Sequence, residues 1–236
     1  KLFRDSGFRI SVKNTLYYAV FTVPLTMVAS LLIAVLLNSK IRGIVVYRTA
    51  FFFPYVASLV AVGAVWNMLF QPEFGPINEF LKFIGIANPP KWCASTDWAM
   101  TVIIIVSVWK YMGYYMVVYL AALQGISQDL YEAASIDGAT GWVKLKSIIL
   151  PLMMSSITIC LFLTLSRAFM VYDVNLSLTA GAPYGTTEMA AMHVYEKAFT
   201  SRQFGVGQAE ALILFVIVAI ISGIQVYITK RQEVEA

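Results

Sequence analysis

The sequence predicts an all-α polytopic membrane protein with five transmembrane helices, and three observations favour this fold class. Of its 236 residues, 59% are apolar and 13% are charged, whereas a soluble domain carries about a quarter charged residues. The mean hydropathy is +0.74. Five nearly uncharged stretches are long enough for a helix to cross a bilayer, which takes about 20 residues. This composition excludes a soluble enzyme and a disordered chain, because the chain is too apolar for either.

The five predicted spans follow one another along the chain with few interruptions by charge. They cover residues 14–38, 48–70, 98–124, 147–172 and 210–229. The first is uncharged, the second has no charge after Arg48, and the last has none after Glu210, which is expected at the interface. Lys110 and Arg167 are the single charges of the third and fourth spans. Because a charge at bilayer depth is costly, each is expected to face a cavity or a partner, or to bond a carbonyl oxygen.

The segments between the spans form two sets, one on each side of the membrane. Residues 71–97 and 173–208 are outer loops with glycine and proline clusters, and short helices are predicted at 77–85 and 187–199. The N-terminal arm lies on the same outer side although it is basic, with Lys1, Arg4, Arg9 and Lys13. The other set is denser in basic residues and is therefore predicted to be cytoplasmic: Lys40, Arg42, Arg48, Lys144, Lys146, Lys230 and Arg231.

These segments predict a multi-pass protein of the cell membrane with a cytoplasmic C-terminus. With five spans the N-terminus lies outside, so at least one further span is expected before residue 1, and six or more in the full protein. The net charge of +4 is modest and spread along the chain, which predicts no binding of nucleic acid. Cys93 and Cys160 are not spaced as metal ligands, and the single histidine, His193, is not predicted to bind a metal.

The segment at residues 127–147, between the third and fourth spans, predicts two short helices joined at an angle. Ser127 is placed to cap the first helix, and Gly138 provides the backbone freedom for the turn. Thr140 is placed to cap the second helix. Small residues leave a narrow surface, and apolar contacts are expected from Leu130, Ile136, Trp142 and Leu145. These features are typical of a docking element on the cytoplasmic face.

This segment resembles the EAA loop of ABC importer permeases. The matching pattern is Glu132-Ala133-Ala134, three residues, Gly138, nine residues, and then Ile148-x-Leu150-Pro151. Within that family, the chain is most similar to the MalF-like permeases of binding-protein-dependent sugar uptake, as in Leu178-Thr179-Ala180-Gly181-Ala182-Pro183. The resemblance covers a single transmembrane domain, residues 1–236.

The resemblance implies a set of partners and a role for the loop. A second, homologous permease subunit would complete the pathway, and a cytoplasmic ABC ATPase dimer would bind ATP and magnesium. An extracytoplasmic sugar-binding protein would deliver the solute, in a bacterial or archaeal membrane. The residues expected to couple to the ATPase are Glu132, Ala133, Ala134, Asp137 and Gly138. The chain itself has no phosphate-binding loop and is predicted to carry no cofactor.

Residues suited to a sugar occur in the third and fourth spans, from which the MalF-like family builds its sugar site. Aromatic faces stack on the C–H surfaces of sugars, and polar side chains bond their hydroxyls. Ser107, Tyr111 and Tyr114 share one helical face. Thr164 and Arg167 share a face of the fourth span, and Tyr114 occupies a matching position in the family. The alternative is that these tyrosines only pack between helices.

The function predicted from these features is that of a permease subunit, which forms half of the pathway of an ATP-driven sugar or oligosaccharide importer. One alternative is an ABC permease for a solute other than a sugar. A second is an ion-coupled secondary transporter, which has no use for an EAA loop. A membrane-integral enzyme is disfavoured, because one histidine allows neither a Ser/His/Asp nor a His/Glu catalytic arrangement. The two basic residues of the spans allow an acidic sugar.

Overall fold

The computed structural model describes residues 5–39 and 42–231, and every regular element within those ranges is helical, which confirms the all-α prediction. Lys1, Arg4 and Lys40, which entered the orientation argument, lie outside the described residues. The helices are α1 (Ser6–Leu37), α2 (Ile44–Val56), α3 (Leu59–Leu69), α4 (Pro76–Phe83), α5 (Ala99–Gln124), α6 (Gln128–Ile136), α7 (Gly141–Lys144), α8 (Leu150–Leu152), α9 (Met154–Phe169), α10 (Asp173–Leu178), α11 (Ala190–Tyr195) and α12 (Phe204–Lys230). A 3₁₀ turn covers Trp92–Ala94, and single π-helical turns cover Leu145–Ile149 and Glu196–Thr200.

The first helix begins at Ser6, whereas the sequence predicted a span that starts at residue 14. The Asp5 carboxylate accepts hydrogen bonds from the backbone N–H groups of Gly7 (2.9 Å) and Phe8 (3.4 Å). It therefore caps the helix N-terminus, where four N–H groups have no intrahelical partner. The start of α1 is set by this cap and not by the start of the apolar run, so the helix extends beyond the predicted span on its N-terminal side.

The predicted span at 48–70 is not one straight helix. It is divided into α2 and α3, which meet at an angle of 99° across Ala57 and Ser58. The break is stabilised from α5: the Lys110 ammonium donates to the carbonyl oxygens of Pro54 (3.1 Å) and Ala57 (3.0 Å). Carbonyls freed at a helix end need such partners, above all where no water reaches them. Lys110 was expected to face a cavity, to face a partner, or to bond a carbonyl oxygen, and the structure shows the last of these.

Helix α5 occupies the place of the predicted third span and packs against α1, α2 and α9. Buried apolar side chains surround it in two clusters. One includes Val102 and Ile103 in its N-terminal half, and the other includes Tyr119 and Leu123 near its C-terminal end. The second cluster also contains Ile149 and contacts Tyr131, so it lies directly beneath the segment at 127–147. The core therefore connects the centre of the bundle to that segment.

The predicted span at 147–172 is also bent. The stretch Gly141–Leu152 meets α9 at an angle of 72°, next to the buried Met153. Pro151 lacks a backbone N–H, and the π-helical turn at Leu145–Ile149 lies just before it, so regular helical hydrogen bonding ends here. Helix α9 has 16 residues, or about 24 Å at 1.5 Å per residue. The straight part of this span is therefore shorter than the hydrocarbon core.

Helix α12 begins at Phe204, before the predicted start at residue 210, and runs to Lys230. Glu210, which was predicted to lie at the membrane interface, is fully buried between α12 and its neighbours. Short helices occur in both of the segments that were predicted to be outer loops. Helix α4 lies at the position predicted for 77–85, and the stretch 187–199 contains α11 and a π-helical turn.

By length and composition α1, α5 and α12 can each cross a membrane. The two bent helix pairs raise the number of spans to five if each pair is one span.

Candidate functional site

The segment at residues 127–147 folds as the sequence predicted, into two short helices joined by a tight turn. Ser127 Oγ accepts from the backbone N–H of Asp129 at 3.3 Å, and Thr140 Oγ1 accepts from that of Val143 at 3.4 Å, so both predicted caps are present. Gly138 has φ +75°, a left-handed conformation that strains other residues.

The turn after α6 is a Schellman motif, which fixes the direction in which the chain leaves the helix. The N–H of Gly138 donates to the Ser135 carbonyl (3.1 Å), and the N–H of Ala139 donates to the Ala134 carbonyl (2.9 Å). Helices α6 and α7 are braced further, since the Lys144 ammonium donates to Ser135 Oγ at 2.6 Å. The segment therefore has a defined shape and is not a loose loop.

The surface of this segment is exposed around the acidic residue of the motif. Glu132, Ala133, Asp137 and Gly138 are exposed, and Gln128 Nε2 donates to Glu132 Oε1 at 3.0 Å. Ala134 is buried at 8% exposure, so its side chain packs within this chain and is not available to a partner. The structure thus separates Ala134 from the other four residues of the predicted coupling set.

Two large apolar side chains lie uncovered beside the acidic residue. Ile136 is 86% exposed and Trp142 is 72% exposed, so both side chains are available for contact with a partner. Leu145 is different: it is half-buried and packs against the buried cluster around Tyr119 and Leu123, so only part of its side chain is available to a partner. Tyr131 packs beside it, and burial raises the pKa of its phenol. The segment has an inner face on the bundle and an outer face available for docking.

Arg167 and three tyrosines form an aromatic cluster inside the bundle. The guanidinium carbon of Arg167 lies 4.6 Å from the centre of the Tyr111 ring and 5.6 Å from that of Tyr55. Tyr55 stacks on Tyr114 with ring centres 4.9 Å apart. Within the described ranges, no carboxylate lies within ion-pair distance of Arg167. The structure therefore brings Arg167, Tyr111 and Tyr114 together and leaves the cation without an acidic neighbour.

A narrow cleft continues from this cluster between α1, α5 and α9. Tyr111, Thr164 and Arg167 line it together with Thr22 and Tyr115. The Thr22 and Tyr115 hydroxyls have no hydrogen-bond partner among the described residues. The cleft has a volume of about 10 Å³, so in this conformation it has room for no more than one water molecule. Thr164 Oγ1 donates to the Cys160 carbonyl at 2.7 Å.

The structure does not place Ser107 with the other predicted residues of this site. It is fully buried and is not among the residues that line the cleft. Sequence reasoning missed Tyr55 and Thr22 because neither shares a helix with the predicted set. Each is a polar side chain within an apolar stretch, and many residues of this sequence fit that description. Neither residue could therefore be singled out from the sequence.

A third group of polar side chains lies at the N-terminal end of α1. Ligand atoms of Asp5, His193 and Glu210 all lie within 4.8 Å of one another. Among the described residues this is the one group of three or more possible metal ligands whose atoms lie so close together. They come from three distant parts of the sequence, which is why spacing did not reveal them.

Comparison with known proteins places these features in one family. The family model described as "binding-protein-dependent transport system inner membrane component" matches residues 11–234. The probable starch degradation products transport system permease protein AmyD of Thermoanaerobacterium thermosulfurigenes is 38% identical over 98% of this chain and 78% of its own length. The trehalose/maltose transport system permease protein MalF of Thermococcus litoralis is 31% identical over 86% of this chain and 68% of its own length.

The fold is also similar to that of a solved structure. A bacterial ABC transporter involved in the import of the acidic polysaccharide alginate contains a chain that superimposes with a TM-score of 0.89. The two chains are 24% identical, and the match covers 98% of this chain and 81% of the other. The bent helices and the segment at 127–147 thus belong to a fold that is found in an experimentally determined transporter.

Proposed function

Because the chain belongs to the family of binding-protein-dependent transport system inner membrane components, we propose that it forms half of the translocation pathway of an ATP-driven sugar importer. The proposed solute is a sugar or oligosaccharide that an extracytoplasmic binding protein delivers. A second homologous permease subunit lines the other half. The chain is a transport subunit and not an enzyme, and the partner ATPase dimer binds ATP and magnesium.

The observation that carries this proposal is the shape and exposure of the segment at 127–147. Its outer face combines an exposed carboxylate, Glu132, with two uncovered apolar side chains, Ile136 and Trp142. A Schellman turn and the contact of Lys144 with Ser135 hold that face in one conformation. A preformed docking element loses little conformational entropy on binding. It is therefore suited to transmit the movement of an ATPase subunit into the helices.

The proposed orientation follows from the position of that segment. It lies at the C-terminal end of α5, next to α1 residue Leu37 and to Ile149 in one buried cluster. An ATPase is cytoplasmic, so this end of the bundle faces the cytoplasm in a bacterial or archaeal cell membrane. Helix α12 runs antiparallel to the neighbouring α9, so its end at Lys230 and the C-terminus lie on the same side. Residues 71–97 and 173–208 then form the outer surface that meets the binding protein.

The proposed substrate class is supported by the aromatic cluster and by the relatives. AmyD is described as a transporter subunit for starch degradation products, and MalF for trehalose and maltose. Tyr111 and Tyr114 provide aromatic rings of the kind on which the C–H surface of a sugar stacks. Arg167 has no acidic partner among the described residues, which also suits an acidic sugar. An uptake assay should therefore compare neutral sugars, acidic sugars and a glycerol phosphate, which represents the solutes other than sugars.

The coupling role is tested by co-purification of the ATPase subunit with the permease pair. Glu132→Ala should weaken this association and reduce uptake, because the carboxylate reaches a basic or hydroxyl group of the ATPase. Glu79→Ala is the matched control for association with the ATPase, since Glu79 is an exposed helical glutamate in α4, outside the segment at 127–147. Unaltered association and full uptake in Glu132→Ala would refute the coupling role of this residue.

A further inference from the structure

Asp5, His193 and Glu210 converge at the outer ends of α1, α11 and α12, and we propose that they form a binding site for a divalent metal ion. Their ligand atoms lie within 4.8 Å of one another, although the residues are far apart in sequence. The site is separate from the aromatic cluster around Arg167 and from the segment at 127–147. No part of the proposed transport mechanism requires it.

Glu210 is the strongest indication that a cation belongs here. Its side chain is fully buried, and neither carboxylate oxygen has a hydrogen-bond partner among the described residues. The nearest basic group is His193, whose Nε2 lies 3.8 Å from Glu210 Oε1, beyond hydrogen-bond distance. Burial of a carboxylate without a partner is strongly unfavourable. A metal ion between the two side chains would satisfy both of them.

His193 is oriented as a metal ligand would be. Its Nδ1 lies 2.7 Å from Glu188 Oε1, while its Nε2 has no partner among the described residues and faces Glu210. Metal-binding histidines commonly donate their second ring N–H to a carboxylate, which fixes the tautomer and leaves the other nitrogen free for the ion. The same hydrogen bond raises the pKa of His193 against the opposing effect of burial. A proton is therefore the ion that competes with a metal.

Asp5 supplies the third ligand and connects the site to the start of α1. Its carboxylate caps the helix through Gly7 and pairs with Lys197 at 3.1 Å, and oxygen lone pairs remain for an ion. Gly7 allows His193 to approach, since a Cβ at this position would lie 2.8 Å from His193 Cε1. Asp5, Glu188, Glu210 and the nearby Glu196 carry four negative charges and Lys197 carries one positive charge, so the group is net negative and favours a cation.

The ligand types select the kind of metal. One imidazole nitrogen and two carboxylates suit zinc, whose remaining position would be occupied by water. A cavity of about 170 Å³ gives access, and Glu196 and Ser201 line it together with Glu188, His193 and Lys197. An ion held there would join the ends of α1, α11 and α12. It would stabilise the outer end of the bundle.

The test is zinc binding by the purified transporter complex that contains the full chain. Zinc alone is titrated at a pH of about 8, where histidine is largely neutral, and bound metal is counted by mass spectrometry. We expect about one more zinc per complex than in the His193→Ala and Glu210→Gln variants, with an affinity that falls at least about tenfold in each. Zinc should raise the melting temperature of the unmodified protein and not that of the variants. Glu79→Gln, an exposed glutamate of α4, is the control and should leave binding unchanged.

Asp5→Asn distinguishes loss of a ligand from misfolding. Asparagine caps a helix about as well as aspartate and loses only the partly exposed ion pair with Lys197, worth about 0–1 kcal/mol. Without zinc this variant should therefore melt close to the unmodified protein, and it should lose zinc affinity. The proposal is overturned if the unmodified protein binds no zinc, or if it binds as much as the His193→Ala and Glu210→Gln variants. It is also overturned if only pH, and not zinc, changes the stability of the unmodified protein. The group would then hold a proton instead of a metal.

Discussion

Replacement of Gly138 by alanine should weaken ATPase docking through the backbone alone. The residue has φ +75°, and a Cβ built on it meets nothing within 4 Å. The substitution therefore creates no clash, and its whole cost is the left-handed conformation, about 1–2 kcal/mol for a residue with a Cβ. This free energy corresponds to a factor of about 5 to 30 in the population of the turn. If the turn alone holds the docking conformation, the apparent Kd for the ATPase subunit rises by up to the same factor.

The assay is equilibrium binding of the ATPase subunit to the detergent-purified permease pair. Gly138→Asn is the first comparison, since asparagine adopts the left-handed region at a lower cost than alanine. Gly141→Ala is the second: Gly141 is an exposed glycine at the start of α7, with an ordinary φ and open space around its Cβ. It should bind at least as tightly as the unmodified protein, because alanine favours a helix. Equal affinities for Gly138→Ala and Gly138→Asn would refute the argument from backbone conformation.

Three further substitutions test the bundle interior. Tyr114→Ala removes the ring that stacks on Tyr55 and should raise the half-saturation concentration for uptake about tenfold, whereas an unchanged uptake curve would remove Tyr114 from the sugar site. Arg167→Gln should reduce uptake of acidic sugars more than that of neutral ones, because it removes a cation with no acidic partner among the described residues; an equal effect on both would assign Arg167 to packing. Lys110→Met leaves two buried carbonyls without their donor and should destabilise the fold by about 2–4 kcal/mol. Thermal unfolding in detergent measures this loss, and the exposed Lys146→Met should show none.

The fold class and the two short helices of the segment at 127–147 could be predicted because their signals are local. Twenty or more apolar residues predict a helix without knowledge of its neighbours, as for α5 and its predicted span at 98–124. The caps at Ser127 and Thr140 and the turn at Gly138 also depend on a few adjacent residues. Short-range physical chemistry decides these features, and the sequence displays it directly.

The features that could not be predicted depend on contacts between distant residues. The 99° break between α2 and α3 is held by Lys110, which is 53 residues away from Ala57 and has no visible relation to it in the sequence. Tyr55 joins the aromatic cluster through the same packing of α2 on α5. Glu210 was expected at the interface and is buried, because α11 and the start of α1 cover it beside His193. Each of these positions is set by tertiary packing, which a single sequence does not reveal.

The central claim, that this chain works in an ATP-driven importer, is tested most directly by solute uptake into proteoliposomes. The vesicles contain this chain with its partner permease and the ATPase dimer, and the binding protein and a radiolabelled maltooligosaccharide are added outside. We expect uptake that requires both ATP inside the vesicles and the binding protein, and that Glu132→Ala reduces. Uptake that an ion gradient drives without ATP, at an equal rate in Glu132→Ala, would contradict the account.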